Sequence, residues 1–310
     1  MKFFHSKIFH WILGLVGIGG SLYCLLRFGD WKNFRWVGNF LPLTLFCMVT
    51  LEIMARCERL KRVLRYTHQH ISFWQSLWVN ALGDIYGAAT PSSIGGEVAR
   101  LAALARFGLR GKLTVTAILM ERLALLISLL GVLLLSVIFI FLYQPSLLST
   151  KSLLYTFLFY GLIAIGLISF LAIAIKKNHL EGQWRQMAFK PDILAISMIH
   201  HMIRLSLLPV TLWGVAHQSP TIAHLVSSFV LAYGVSFVPI PSGGGSVEIT
   251  FTTLFKSQLG PLLTATSLLW WRLASHYFYV LVSLFVTLIG LLTLSKSPKT
   301  PLRKDSETPI

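Results

Sequence analysis

The sequence predicts an all-α polytopic membrane protein, with about six full transmembrane helices and two re-entrant helical hairpins arranged as an inverted-topology repeat. Three observations carry that prediction. Charged residues make up 12% of the 310 residues, against roughly 25% in soluble globular proteins, while hydrophobic residues make up 55%. Several uncharged stretches are long enough to cross a hydrocarbon core about 30 Å thick at 1.5 Å rise per residue. Two further apolar regions are broken in the middle by proline and glycine, and the breaks lie 150 residues apart.

So few charges cannot cover the surface of a soluble fold of this length, and the mean hydropathy of +0.71 requires the apolar excess to face lipid. This excludes a disulfide-built secreted scaffold, a disordered chain and an ordinary soluble enzyme. The net charge of +16 would suggest nucleic acid in a soluble chain, but membrane proteins collect Lys and Arg in their cytoplasmic loops. Cys24, Cys47 and Cys57 have no metal-binding spacing and read as structural thiols.

The predicted full spans are Ile8 to Leu26, Trp36 to Leu51, Leu123 to Tyr143, Ser152 to Ile175, Ile193 to Ala216 (interrupted by Arg204) and Leu273 to Ser295. The two broken regions are Ile71 to Lys112, carrying PSSIGGE from Pro91 to Glu97, and Thr221 to Gly260, carrying PSGGGSVE from Pro241 to Glu248. Proline removes a backbone donor and glycine weakens a helix interior, so each region should bend back on itself. Unpaired backbone persists at membrane depth only where protein or a water-filled cavity satisfies it, so the hairpin tips are expected to meet inside the bilayer.

Charge distribution sets the expected orientation. With both hairpins re-entrant and both termini cytoplasmic, nineteen of the 27 basic residues fall on the cytoplasmic side, including the run Arg56, Arg59, Lys61, Arg62 and Arg65 and the group Arg100, Arg106, Arg110 and Lys112. Residues 1–295 then form one integral membrane domain. Its two repeats cover about 8–143 and 152–295, and a cytoplasmic tail at 296–310 has a composition that favours disorder. Pro91 and Pro241 share their 150-residue offset with Arg122 and Arg272, each near the start of the helix after its hairpin. Three crossings per half invert the second copy, an arrangement that places substrate at the midplane between broken helices in secondary transporters.

An ionisable group at the centre of a membrane helix carries a penalty of about 2.5 to 3.5 kcal/mol on insertion scales, so such residues face a cavity or one another. Here these are Glu97, Glu121, Arg122, Arg204, Glu248 and Arg272. Two readings follow: the arginines clamp an anionic head group through their guanidinium forks, or they pair with the three glutamates as structural ion pairs. Arg122 and Arg272 follow the broken tips and are assigned to the head group together with Glu97 and Glu248. Glu121, Arg204, His276, Pro91 and Pro241 are structural or coupling candidates. The tip glycines Gly95, Gly96, Gly243, Gly244 and Gly245 could present backbone N–H groups to a phosphate at a helix start. Arg272 and His276 lie one turn apart on one helix face. The pattern assigns no metal and no cofactor, and no hydrolase or nucleotide-binding motif is present to support catalysis.

The stretch PSSIGGEVAR (Pro91 to Arg100), the pair Glu121 and Arg122, PSGGGSVE (Pro241 to Glu248) and Arg272 in WWRL together resemble the transmembrane region of lysylphosphatidylglycerol synthase, a flippase-like family of integral membrane proteins. The resemblance runs from about Ile8 to Leu294. Leu123 to Leu126 stand where an acidic residue often follows the Glu-Arg pair, and Ser242, Gly244 and Ser246 vary the second loop. The likeness implies a multi-pass inner-membrane protein that handles a membrane phospholipid or glycolipid, translocates it rather than aminoacylates it, and has no aminoacyltransferase domain. A second expectation is a scaffold or accessory subunit for a lipid- or sugar-modifying enzyme, and a less favoured third is a membrane-embedded transferase using Glu97 or Glu248 as general base.

Overall fold

The computed structural model describes residues 38, 40–90, 94–143, 161, 165, 169, 190–219, 221–234 and 245–294. The expected spans Ile8 to Leu26 and Ser152 to Ile175, the tip residues Pro91, Pro241, Gly243 and Gly244, Cys24 and the tail 296–310 lie outside them, apart from the isolated helical positions Gly161, Ile165 and Ser169. Every regular element among the described residues is helical.

Helix α1 spans Phe40–Tyr66, α2 Phe73–Ala89, α3 Ile94–Arg106 and α4 Lys112–Tyr143. Helix α5 spans Pro191–Ala216, and α6 spans Ile222–Phe229 with a π-helical extension over Val230–Gly234. Helix α7 spans Ser246–Arg272 and runs through a π turn at Leu273–Tyr277 into α8, Phe278–Leu294. Among the described residues four helical stretches are long and apolar enough to cross a membrane: Phe40–Tyr66, Lys112–Val132, Pro191–Ala216 and Ser246–Gly290.

The offset of 150 read from the prolines extends to whole elements. Helix starts at Phe40, Phe73, Ile94 and Lys112 are followed by starts at Pro191, Ile222, Ser246 and Pro261, in the same order. The break before Pro261 is set by the chain itself. Gly260 adopts φ 73° and ψ 169°, which only glycine takes readily, and Pro261 removes the next backbone donor. Even the caps correspond: Ser72 and Gln75 form a capping box at the start of α2, and Thr221 and His224 form one at the start of α6.

Within the first broken region α2 and α3 fold back as an antiparallel pair. Gly83 lies against Gly96 and Arg100, and farther along α2 Thr90 lies against Gly95. A Cβ on Gly96 would sit 2.6 Å from the Gly83 carbonyl oxygen, so the glycines allow backbone contact that no larger residue permits. In the second broken region the arms meet where His224 of α6 contacts Phe255 of α7.

Helices α1 and α5 also pack antiparallel, because Leu41 touches Gly214, Glu52 pairs with Arg204, and Arg62 pairs with Asp192. Two apolar cores follow from this crossing. One joins Leu60, Val63 and Leu64 at the end of α1 to α2, α3, α4 and Ile193 at the start of α5. The other joins Leu41, Leu45 and Val49 at the start of α1 to Leu207, Leu208 and Leu212 of α5 and to Phe251, Phe255 and Trp271 of α7. Each half thus lends the first turns of its long helix to the core of the other. Since lipid is as apolar as leucine, close packing must hold these helices together, as where Gly290 of α8 admits the indole of Trp78.

Boundaries differ from expectation at charged and polar stretches. Helix α1 continues past Leu51 to Tyr66, through the basic run expected to form a loop, and α4 begins at Lys112 rather than Leu123. The expected last span, Leu273 to Ser295, is continuous with α7 through the π turn. On α8 the exposed residues Leu281, Phe285, Leu288 and Leu292 make an apolar stripe at helical spacing, suited to lipid.

Candidate functional site

Among the described residues three groups of carboxylates and guanidiniums are buried or partly buried around the expected site, and a fourth, Glu58 with Lys61, Arg62 and Asp192, lies more exposed between the end of α1 and the start of α5. In the first, α4 carries Glu121 and Arg122 side by side, so consecutive positions on one helix point in different directions. Glu121 is fully buried and accepts hydrogen bonds from Arg59 Nε of α1 at 3.1 Å and from Arg100 Nη2 of α3 at 2.5 Å. Arg100 Nη1 also donates to Glu97 Oε2 at 3.1 Å, and Arg122 Nη2 donates to Glu97 Oε1. The result is an unbroken chain, Arg59, Glu121, Arg100, Glu97, Arg122, with three positive and two negative charges. Its inner end is sealed. Its outer end is open: the side chains of Arg122 and Glu97 keep 42% and 35% of their surface accessible.

The second group lies where α7 begins. Arg272 donates from Nε to Glu248 Oε1 at 2.8 Å, with Nη2 at 2.7 Å from the same oxygen, and Glu248 Oε2 accepts from the Gly245 N–H at 2.8 Å. Both side chains are buried, at 4% and 0% exposure. Glu97 with Arg122 and Glu248 with Arg272 are the same contact built twice, a carboxylate in the first turn of the half-helix meeting an arginine on the long helix that follows. They differ in access and in charge balance. The buried pair is neutral and closed, whereas the exposed pair terminates a network with one excess positive charge.

The third group ties α1 to the helices around it. Glu52, fully buried, faces Arg204 Nη1 at 3.2 Å and accepts a hydrogen bond from the Tyr279 hydroxyl. One turn on, Arg56 holds Asp84 of α2 through two hydrogen bonds of 3.1 and 2.5 Å, and Ser283 of α8 donates to Asp84 at 3.3 Å. His201 bonds Tyr233 and the Leu125 carbonyl through its two ring nitrogens, at 2.7 and 2.8 Å.

These placements sort the expected site residues. Glu97 and Arg122 meet, as do Glu248 and Arg272; Glu121 joins the first network and Arg204 the third group. His276 sits in the π turn with its Nε2 buried and without a hydrogen-bond partner among the described residues, and that turn changes the α-helical register assumed for Arg272 and His276. The Gly95 N–H donates to Thr90 Oγ1 at 3.0 Å and the Gly245 N–H to Glu248, so both amides are already occupied within the chain. Gly96 is buried against Gly83 and Gly87. Gly95, Gly96 and Gly245 thus serve close packing and turn geometry, and the side chain of Arg122 stays partly accessible.

Glu52, Arg56, Arg59, Asp84, Arg100 and Tyr279 were not among the expected site residues. Arg56, Arg59 and Arg100 stood in basic groups expected on the cytoplasmic side; the structure places them on helices, each paired with a carboxylate of another helix. A periodic signal was present in the sequence: Glu52, Arg56 and Arg59 fall at i, i+4 and i+7, and so do Ser197, His201 and Arg204. Among the described residues no group of three His, Cys, Asp or Glu is placed to hold a metal ion.

Compared with the curated proteins, the sequence matches none. The family model described as Lysylphosphatidylglycerol synthase TM region matches residues 11–283, which takes in all three polar groups apart from the last turns of α8. The chain therefore belongs to the lysylphosphatidylglycerol synthase transmembrane-region family of membrane proteins.

Proposed function

We propose that the protein moves polar or anionic lipids from one leaflet of the cell inner membrane to the other, without catalysing a chemical step. The observation that carries this reading is the open, net-positive end of the first network. A guanidinium fork matches the oxygens of a phosphate, and among the described residues Arg122 is held only by Glu97, which it shares with Arg100. An anionic head group entering at Arg122 competes with the Glu97 carboxylate, while Glu97 keeps Arg100 as partner. The acyl chains remain outside, along exposed apolar faces such as that of α8. Arg272 and Glu248, neutral and closed, anchor the second half-helix in this scheme.

The antiparallel crossing of α1 and α5, which occupy corresponding places in the two halves, supports an inverted-topology repeat with re-entrant hairpins. In that arrangement both termini lie in the cytoplasm, and the two halves tilt against each other to expose Arg122 to each leaflet in turn. The test is transfer of a head-group-labelled anionic phospholipid between leaflets of proteoliposomes. Wild-type protein accelerates transfer over protein-free vesicles, and Arg122→Ala abolishes the acceleration while still inserting. Full transfer by Arg122→Ala refutes the assignment. An inert wild-type protein that co-purifies with a lipid- or sugar-modifying enzyme points instead to an accessory subunit.

A further inference from the structure

The group around Glu52 takes no part in head-group binding as proposed, yet it places a buried carboxylate, a histidine and a tyrosine where both halves of the chain meet. Glu52 sits on α1, in the first half; Arg204 and His200 come from α5 and Tyr279 from α8, all in the second. Two cationic or basic groups address one oxygen. Arg204 Nη1 is 3.2 Å from Glu52 Oε1, and His200 Nδ1 is 3.4 Å from the same atom, yet that nitrogen is buried and makes no hydrogen bond among the described residues. A buried polar atom without a partner is unfavourable, and a hydrogen held between Nδ1 and Glu52 Oε1 would satisfy it.

From this geometry we infer that Glu52 is a proton-binding site that couples lipid movement to a transmembrane proton gradient; the inference rests on the lipid-moving reading above. One proton from water forms an O–H bond at Glu52 Oε1. The neutral carboxyl then donates to His200 Nδ1 and keeps the hydrogen bond from Tyr279 on Oε2. The Glu52 and Arg204 pair passes from neutral to a single positive charge, which removes the ionic tie between the halves. Arg204 retains Tyr279, whose ring centroid lies 5.9 Å from its guanidinium carbon. Loss of the proton restores the tie.

One turn along α1 lies a small cleft with room for about one water, lined by Arg56, Asn80, Asp84 and Ser283 among apolar residues that include Ile53, the sequence neighbour of Glu52. The other groups around the site modulate it. Arg56 and Arg59 lie on α1 itself, Arg56 already holding Asp84 of α2 and Arg59 holding Glu121 of α4. From α5, His201 is tied to Tyr233 beyond α6, and His276 comes from the π turn that packs on both α1 and α5.

The experiment measures the steady-state distribution of the labelled anionic lipid between leaflets of proteoliposomes under an imposed pH gradient. With one proton per lipid, a gradient of one pH unit supports an asymmetry of about tenfold, because one pH unit corresponds to a tenfold change in an equilibrium constant. Wild-type protein should build that asymmetry and lose it with a protonophore, and Glu52→Gln, which mimics the protonated carboxyl, should give equal leaflets. Infrared difference spectra of wild-type protein, recorded as pH is stepped, should show a protonated-carboxyl stretch that is missing in Glu52→Gln. If Glu52→Gln does not fold, His200→Phe replaces it and should weaken the asymmetry and shift the band. Lipid transfer that stays symmetric under the gradient in wild-type protein, or an asymmetry unchanged in the variants, overturns the coupling and leaves the lipid-moving reading standing. Absence of any transfer by wild-type protein overturns that reading and the coupling with it, and the infrared band then decides only whether Glu52 binds a proton.

Discussion

Removing the same charge from the two repeats should have unequal consequences. Glu248→Gln and Glu97→Gln each neutralise the first-turn carboxylate of a half-helix and each take a negative charge away from beside an arginine. Arg272 is 4% exposed and its partner Glu248 is fully buried, so the first substitution unbalances an ion pair inside the protein. Breaking a buried pair by removing one member destabilises by about 3–5 kcal/mol. Arg122 keeps 42% of its side chain accessible, can turn to solvent or lipid head groups, and belongs with exposed pairs worth about 0–1 kcal/mol. Arg100, the other partner of Glu97, still has Glu121. The difference of at least 2 kcal/mol, at about 2–4 °C per kcal/mol for a larger soluble domain, separates the midpoints by roughly 4 °C or more. Thermal inactivation in detergent, followed by the loss of the monodisperse size-exclusion peak, reads this directly. Equal shifts, or a larger shift for Glu97→Gln, would refute the argument that burial distinguishes the two pairs.

Arg122→Lys should retain part of the lipid transfer and Arg122→Ala none, since a charge-assisted hydrogen bond is worth about 1.5–3 kcal/mol and the lysine keeps the charge without the fork; transfer rates in proteoliposomes decide it. Gly96→Ala drives a Cβ to 2.6 Å from the Gly83 carbonyl and should destabilise by about 1–3 kcal/mol, seen as a lower thermal midpoint; a neutral result would mean the hairpin arms are farther apart. Gly260→Ala leaves open space around the new methyl but forces a non-glycine residue to φ 73° and ψ 169°, a region essentially reserved for glycine, so strain alone should cost about 1–3 kcal/mol, read as a lower midpoint in the same assay. Glu121→Gln orphans Arg59, whose Nη1 already lacks a partner, and should reduce the yield of folded protein in the membrane by more than Arg122→Ala does.

The apolar spans that fall within the described residues are legible in the sequence because lipid imposes a length and a polarity that no other residue pattern imitates. Ile193 to Ala216 lies within α5 almost residue for residue, and Gly260 with Pro261 ends the second broken region where the backbone turns. Glu97, Glu121, Arg122, Arg204, Glu248 and Arg272 stand out as lone charges in apolar surroundings. What was hidden is the end of α1. Glu52, Arg56 and Arg59 stand among Glu58, Lys61 and Arg62, so a hydropathy window reads one solvated run, whereas the first three turn to partners on other helices. Those partners lie 152, 28 and 62 residues away, separations at which no local pattern operates. The unequal burial of the two Glu-Arg pairs was equally out of reach. Their sequence settings are nearly alike, and only packing distinguishes them.

Photocrosslinking with lipid analogues tests the central claim most directly. An anionic phospholipid carrying its photoreactive group on the head should label peptides around Glu97 and Arg122, and the label should fall when unlabelled anionic lipid is added in excess. The same lipid with the group at the tail end should label the outer face of α8 around Leu281 and Phe285 instead. Head-group adducts confined to the ends of the long helices, with nothing at Glu97 or Arg122, would contradict a lipid path through the first network.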